Sequence, residues 1–166
     1  MNRNNSNINF ISMLIQRPHA MALIKGSKDY PQIRGNIRFF QTKKGVLAAI
    51  EVSGLPASSN KCENHIFAFH IHSGGSCSGN ENDPFADALT HYNPDNCPHP
   101  HHAGDMPPLF GCNGNAFSAF LTDRFSVDEI IGKTVIIHSS PDDFTTQPSG
   151  NSGTKIACGV INRIRR

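Results

Sequence analysis

His70 and His72 stand two apart in Phe69-His70-Ile71-His72, at the end of an apolar run that begins at Ile66. Successive strand side chains point to opposite faces, so a strand here aims both imidazoles one way and Phe67, Phe69 and Ile71 the other. Two imidazoles on one rigid face, backed by a core, are a template for chelating a metal ion. A lone His-x-His pair also suits a solvated surface strand, but its company argues for the metal. His91, His99, His101, His102 and Asp105 follow in one stretch of chain, and His138 ends a later apolar run. Imidazole with carboxylate suits Zn²⁺, which favours four-coordinate tetrahedral sites of this donor type. Such an ion can order a polar loop that has no apolar core of its own.

These donors need a rigid scaffold, and the rest of the chain supplies one. Its 166 residues fit a single domain with its own core. Gly 14, Pro 11 and only 17% charged residues, with short apolar runs between turn signals, read as an all-β domain. Strands are expected over 21–25, 33–42, 46–52, 65–72, 116–122, 134–138 and 155–164. Seven to eight antiparallel strands at this spacing read as a Greek-key β-sandwich or flattened barrel. Residues 73–109 have almost no strand character and hold most of the histidines. A loop of that length is uncommon unless it is functional. Thr134, Ile136 and His138 share one strand face, so His138 can reach the site that the His-x-His pair forms.

Composition also excludes function classes. A net charge of +2 is too small to argue for nucleic acid, and Arg163, Arg165 and Arg166 read as a solvated tail. No apolar stretch approaches the ~20 residues of a membrane span. Residues 1–18 form a polar, Asn-rich segment expected to be disordered, ahead of a domain over 19–166. Phe10 to Gln16 is somewhat apolar, but Ser12 and Gln16 interrupt it and no small-residue cleavage site follows, which makes a poor secretory signal. The compartment stays open between the cytoplasm and a surface or export route without a classical signal.

Read together, the motifs spell out a family. Phe69-His70-Ile71-His72, Gly75-Ser76-Cys77, Thr90-His91-Tyr92-Asn93-Pro94, His102-Ala103-Gly104-Asp105, Ile137-His138-Ser139-Ser140-Pro141-Asp142-Asp143, Gly150-Asn151-Ser152-Gly153 and Ala157-Cys158-Gly159-Val160-Ile161 occur in that order. From about Met21 to Ile161 the chain resembles the copper/zinc superoxide dismutase family. The short loops and the His-Ala-Gly-Asp-Met-Pro run place it with the bacterial branch.

The resemblance implies copper ligands His70, His72, His91 and His138, and zinc ligands His91, His99, His102 and Asp105, with His91 as the bridge. His101 competes with His99, because the segment between His99 and His102 is shorter than the family usually has. Asp142 would be the carboxylate that links His70 with His99 and fixes their tautomers; an Asp opening a turn after Pro141 is its plainer role. Cys77 and Cys158 would form the family's disulfide. Cys62, Cys97 and Cys112 are extra, and Cys97, inside the zinc loop, is either a loop thiol or a thiolate ligand.

The implied activity is conversion of superoxide to O₂ and hydrogen peroxide by Cu(II)/Cu(I) cycling, with His91 taking up and returning a proton and zinc holding the structure. Lys155 stands where the family places an arginine above the copper. Lysine keeps the charge but loses the planar two-donor fork, so activity is expected to be retained but lower than with arginine. Residues 139–154 contain no Lys or Arg, so steering of the anion should rest on Lys155 and the metals. Three alternatives remain: a copper-buffering protein without turnover would need the same histidines but no cation above the copper, so Lys155 argues against it; the four copper ligands argue against a metal chaperone, and His91, His99, His102 and Asp105 against a copper-only dismutase. The resemblance leaves the oligomeric state open and admits a homodimer.

Overall fold

Alternating burial builds the sheet. In the computed structural model, which describes residues 9–60, 62–63 and 65–165, β1 (Ala20–Gly26) turns Ala20, Ala22 and Ile24 inward. Strands β2 (Arg34–Thr42) and β3 (Gly45–Ser53) add Ile37, Phe39, Val46, Ala48 and Ile50 to the same core. Thr42 Oγ1 accepts the Lys44 N–H at 2.9 Å in the turn between them, and Gly45 takes φ +122° there. The expected strand over 65–72 divides at Ala68 into β4 (Ile66–Phe67) and β5 (Phe69–His72). After the long loop come β6 (Leu109–Phe110), β7 (Asn115–Thr122), β8 (Thr134–His138) and β9 (Lys155–Arg163).

Seven strands form one antiparallel sheet in the order β5-β8-β9-β1-β2-β3-β7, and β4 pairs with β6 in a small second sheet. Because β4 runs directly into β5 and β6 lies against β7, the small sheet joins the two edges of the large one. The result is a flattened Greek-key barrel around one apolar core. A barrel closed in this way covers edges that would otherwise offer unpaired backbone groups.

The N-terminal segment departs from expectation. Residues 1–8 lie outside the described residues, but Phe10–Leu14 form a short helix, α1, with the Asn9 side chain accepting the Ser12 N–H at 3.2 Å. Its Met13 and Leu14 pack on Phe40, Leu47 and Ala49, which face outward from β2 and β3. That second apolar patch needs a cover, and the segment supplies it. Among the described residues no helix is long and apolar enough to cross a membrane.

Candidate metal centre

The alternation expected in β5 is present: Phe69 and Ile71 join the core, while His70 and His72 face the other way. The loop over 73–108 docks on this strand through its own backbone. Tyr92 N–H donates to Ile71 O at 2.8 Å, Ile71 N–H to Gly104 O at 2.9 Å, and Gly104 N–H to Tyr92 O at 2.8 Å. These contacts set His91 opposite His72 and Asp105 opposite His70. Glycine is required at 104, because a Cβ would strike Ile71 O. His138 enters from β8, which pairs with β5 and whose register with β9 shifts at Ile137/His138.

Two groups of buried donors result, sharing one residue. His70, His72, His91 and His138 form the first; His91, His99, His102 and Asp105 form the second. In each group, one potential ligand atom per residue lies within 4.8 Å of all the others. His72 Nε2 and His138 Nε2 stand 3.3 Å apart. In the second group His91 Nδ1 lies 2.8 Å from Asp105 Oδ1, and His102 Nδ1 lies 3.4 Å from His91 Nδ1. His91 therefore presents Nδ1 to the second group, which leaves Nε2, on the opposite edge of the ring, for the first. His99 belongs to the cluster, whereas His101 is exposed and outside it. Cys97 is outside both groups.

The outer nitrogens are committed elsewhere. His70 Nε2 donates to Asp142 Oδ2 at 2.7 Å and His99 Nε2 to Asp142 Oδ1 at 2.9 Å, so one carboxylate links the two groups. Asp142 is itself held by the Phe144 N–H at 2.7 Å. A Cβ on Gly150 would collide with Asp142 Oδ1 and His99 Nε2, and Gly150 also takes φ +67°. His72 Nδ1 donates to Leu89 O at 2.8 Å. Gln147 clasps His99 by its backbone, accepting the N–H at 3.0 Å and donating to the carbonyl at 2.7 Å. Arg124 Nη1 donates to the carbonyls of Pro100, His102 and Asp105 at 3.0–3.3 Å.

With the outer nitrogens so occupied, the inner ones carry lone pairs into the clusters. His70 Nδ1, His91 Nε2 and His99 Nδ1 are buried without a hydrogen-bond partner. Each such atom costs about 1–3 kcal/mol if left unsatisfied, and a cation satisfies several at once. The donor sets thus fit metal ions, one all-imidazole and one imidazole–carboxylate. Electrostatics agree. Burial, then the His91 charge, pulls His72 down to about 3. Burial also holds His138 well below the ordinary histidine range; the charges of His70, His72 and His91 add to this, and the Gly153 backbone opposes it. Burial pushes Asp105 up, but the His91 hydrogen bond and the His91, His102 and His99 charges outweigh it and bring the carboxyl to about 2. At neutral pH the imidazoles of His72 and His138 are unprotonated and Asp105 is ionised, the forms that bind metals.

Lys155 lies opposite His138 in the β8–β9 ladder, at the rim of a cavity of about 540 Å³ that opens onto both groups. The expected disulfide between Cys77 and Cys158 is formed, and Cys62, Cys97 and Cys112 are free thiols.

Two buried four-donor groups sharing one imidazole, carried by a flattened Greek-key barrel, define a dinuclear metalloprotein. Comparison with known proteins gives the family. Residues 33–161 match the family model described as copper/zinc superoxide dismutase (SODC). A protein named superoxide dismutase [Cu-Zn] 2 of Aquifex aeolicus is 34% identical over 145 residues, 78% of this chain and 80% of that one. The superoxide dismutase [Cu-Zn] of Escherichia coli (strain K12) is 32% identical over 149 residues, 81% and 82% of the two chains. A solved structure of Cu/Zn superoxide dismutase from Brucella abortus shares the fold, with a TM-score of 0.70 over 85% of this chain and 98% of that chain at 21% identity. The chain belongs to the copper/zinc superoxide dismutase family.

Proposed function

We propose that His70, His72, His91 and His138 hold the copper, and His91, His99, His102 and Asp105 the zinc, of a superoxide dismutase. The observation that carries this reading is His91, which stands in both donor groups with one ring nitrogen for each. Copper, when bound, supplies one-electron redox chemistry at the cavity, and zinc is redox-inert.

The chain's own residues supply the rest. The cavity admits a small anion, and Lys155 at its rim gives the substrate a positive contact. His91 Nε2, buried and without a protein partner, is the atom at which one proton is taken up and returned as superoxide becomes hydrogen peroxide. Asp142 holds His70 and His99 each in one tautomer and orientation, so that the two donor groups are set together. A homodimer belongs to the same reading: Phe110 and Phe117, 66% and 64% exposed, line one open groove beside β7 and supply apolar surface for it.

Superoxide decay on the copper- and zinc-loaded protein tests the activity. The expected result is decay far faster than in buffer, and slower on added salt because the substrate is an anion. Decay no faster than in buffer with copper stoichiometrically bound would leave metal handling as the function.

A further inference from the structure

The cavity's charge does not match a simple anion funnel. Among its described lining residues, histidines apart, Asp83 and Lys155 are the only ionised side chains. They are paired: Lys155 Nζ stands 2.7 Å from Asp83 Oδ2 and donates to Phe85 O at 3.1 Å. The Lys155 side chain is 15% exposed and that of Asp83 39%, so the cation is the more enclosed partner.

Asp83 does not reach Lys155 as a loose surface carboxylate. Its Oδ1 accepts the Phe85 N–H at 3.0 Å, and Asn80 Oδ1 accepts the Asp83 N–H at 3.1 Å. Phe85 is buried with Ala88, Ile136 and Cys158, so the turn that carries Asp83 is anchored on β8 and on the disulfide. On the other side Lys155 is fixed by its ladder position opposite His138. The backbone at each end of the pair is thus set by a packed element.

From this pairing, and resting on the dismutase reading above, the geometry points to Asp83 as a positioning residue that holds Lys155 at the rim and attenuates the pull of the cavity on small monovalent anions. An incoming anion meets an ammonium already neutralised by a carboxylate and must compete with it for Nζ. Orientation of the lysine, which lacks the fixed fork of an arginine, is gained at the expense of long-range attraction.

Azide, a monovalent anion, is a probe of the copper-facing cavity that does not depend on turnover. In the copper- and zinc-loaded protein, Asp83→Asn keeps an amide oxygen for the Phe85 N–H and removes the negative charge. The expected result is azide affinity about threefold tighter at low ionic strength, read from the optical spectrum of the copper. The gain should shrink near 1 M salt, where the screening length is about 3 Å and only the contact competition for Nζ is left. Asp83→Glu, which restores the carboxylate, should bind azide like the unaltered protein. Lys155→Gln should weaken azide binding, and adding Asp83→Asn to it should recover the loss, because the pocket charge returns to neutral. That pair decides the matter if Asp83→Asn alone does not fold. Equal or weaker azide binding in Asp83→Asn at low salt, a gain just as large at 1 M salt, or no recovery in the double variant would each overturn the inference. Absence of superoxide turnover in the unaltered protein would remove the dismutase reading and leave the azide comparison to stand on its own.

Discussion

His91→Ala is expected to abolish dismutation while the barrel stays folded. The substitution removes one donor from each group of four, and no other residue stands in both. It also takes away the hydrogen-bond partner that helps to keep Asp105 ionised. The scaffold does not depend on the ring, because the loop is docked by the backbone of Tyr92 and Gly104 on Ile71. Loss of the proposed proton carrier alone would cost roughly 10²–10⁴-fold, and loss of a donor from both groups would add to it. Stopped-flow superoxide decay should therefore fall at least about a hundredfold. Zinc should pass readily to a chelator, and the far-ultraviolet circular dichroism should be unchanged. A variant that keeps more than about a tenth of the rate would exclude His91 as the shared proton carrier.

The first-neighbour residues of this centre are legible in the sequence because their chemistry needs particular side chains. Imidazole and carboxylate at fixed intervals on a strand and a loop have few substitutes, so His70, His72, His91, His102, Asp105 and His138 stand out. Strand boundaries are legible from apolar runs between turn residues, except for the two-residue β6, which falls where no strand is expected, and at Ala68. There the chain leaves the ladder, with the Ala68 N–H on Ser140 O and its carbonyl accepting the His138 N–H. What the side-chain pattern does not report acts through groups that every residue or many residues possess. Leu89 supports His72 by a backbone carbonyl, which no side-chain pattern reports. Gln147 and Arg124 act on the backbone at His99 and Pro100 from segments remote in sequence. The helix α2 (Val127–Ile130) did have a signal: Ser126 and Glu129 form a capping box ahead of buried Val127 and Ile130. Lys155 was legible as a cation above the site, but its partner was not, because Asp83 lies 72 residues away in a polar turn.

Removing the disulfide, by Cys77→Ser with Cys158→Ser, is expected to lower stability by about 4 kcal/mol and to unsettle one metal group more than the other. The bond closes a loop across a separation of 81 residues, and chain-entropy reasoning assigns about 4 kcal/mol to a closure of that length. Its local effect follows from which donors the tethered segment supports. The stretch from Cys77 to Thr90 returns to β5 through Ser73 N–H on Thr90 O and Gly74 N–H on Ala88 O, and presents the Leu89 carbonyl to His72. His72 belongs to the four-histidine group alone. His99, His102 and Asp105 are held independently, by Gln147, by Arg124 and by the docking of Gly104 on Ile71. Loosening the tethered segment therefore frees the His72 ring while the imidazole–carboxylate group keeps its supports. Loss of an orienting partner of a ligand lowers metal affinity about 10–100-fold. Copper affinity should fall by that order and zinc affinity by less than about a tenth as much, measured by competition with chelators. The urea midpoint should drop with its slope unchanged. Equal losses at both sites would mean that the segment supports the whole centre, and a stability change below about 1 kcal/mol would mean that packing of Phe85 and Ala88 on Ile136 holds it without the bond.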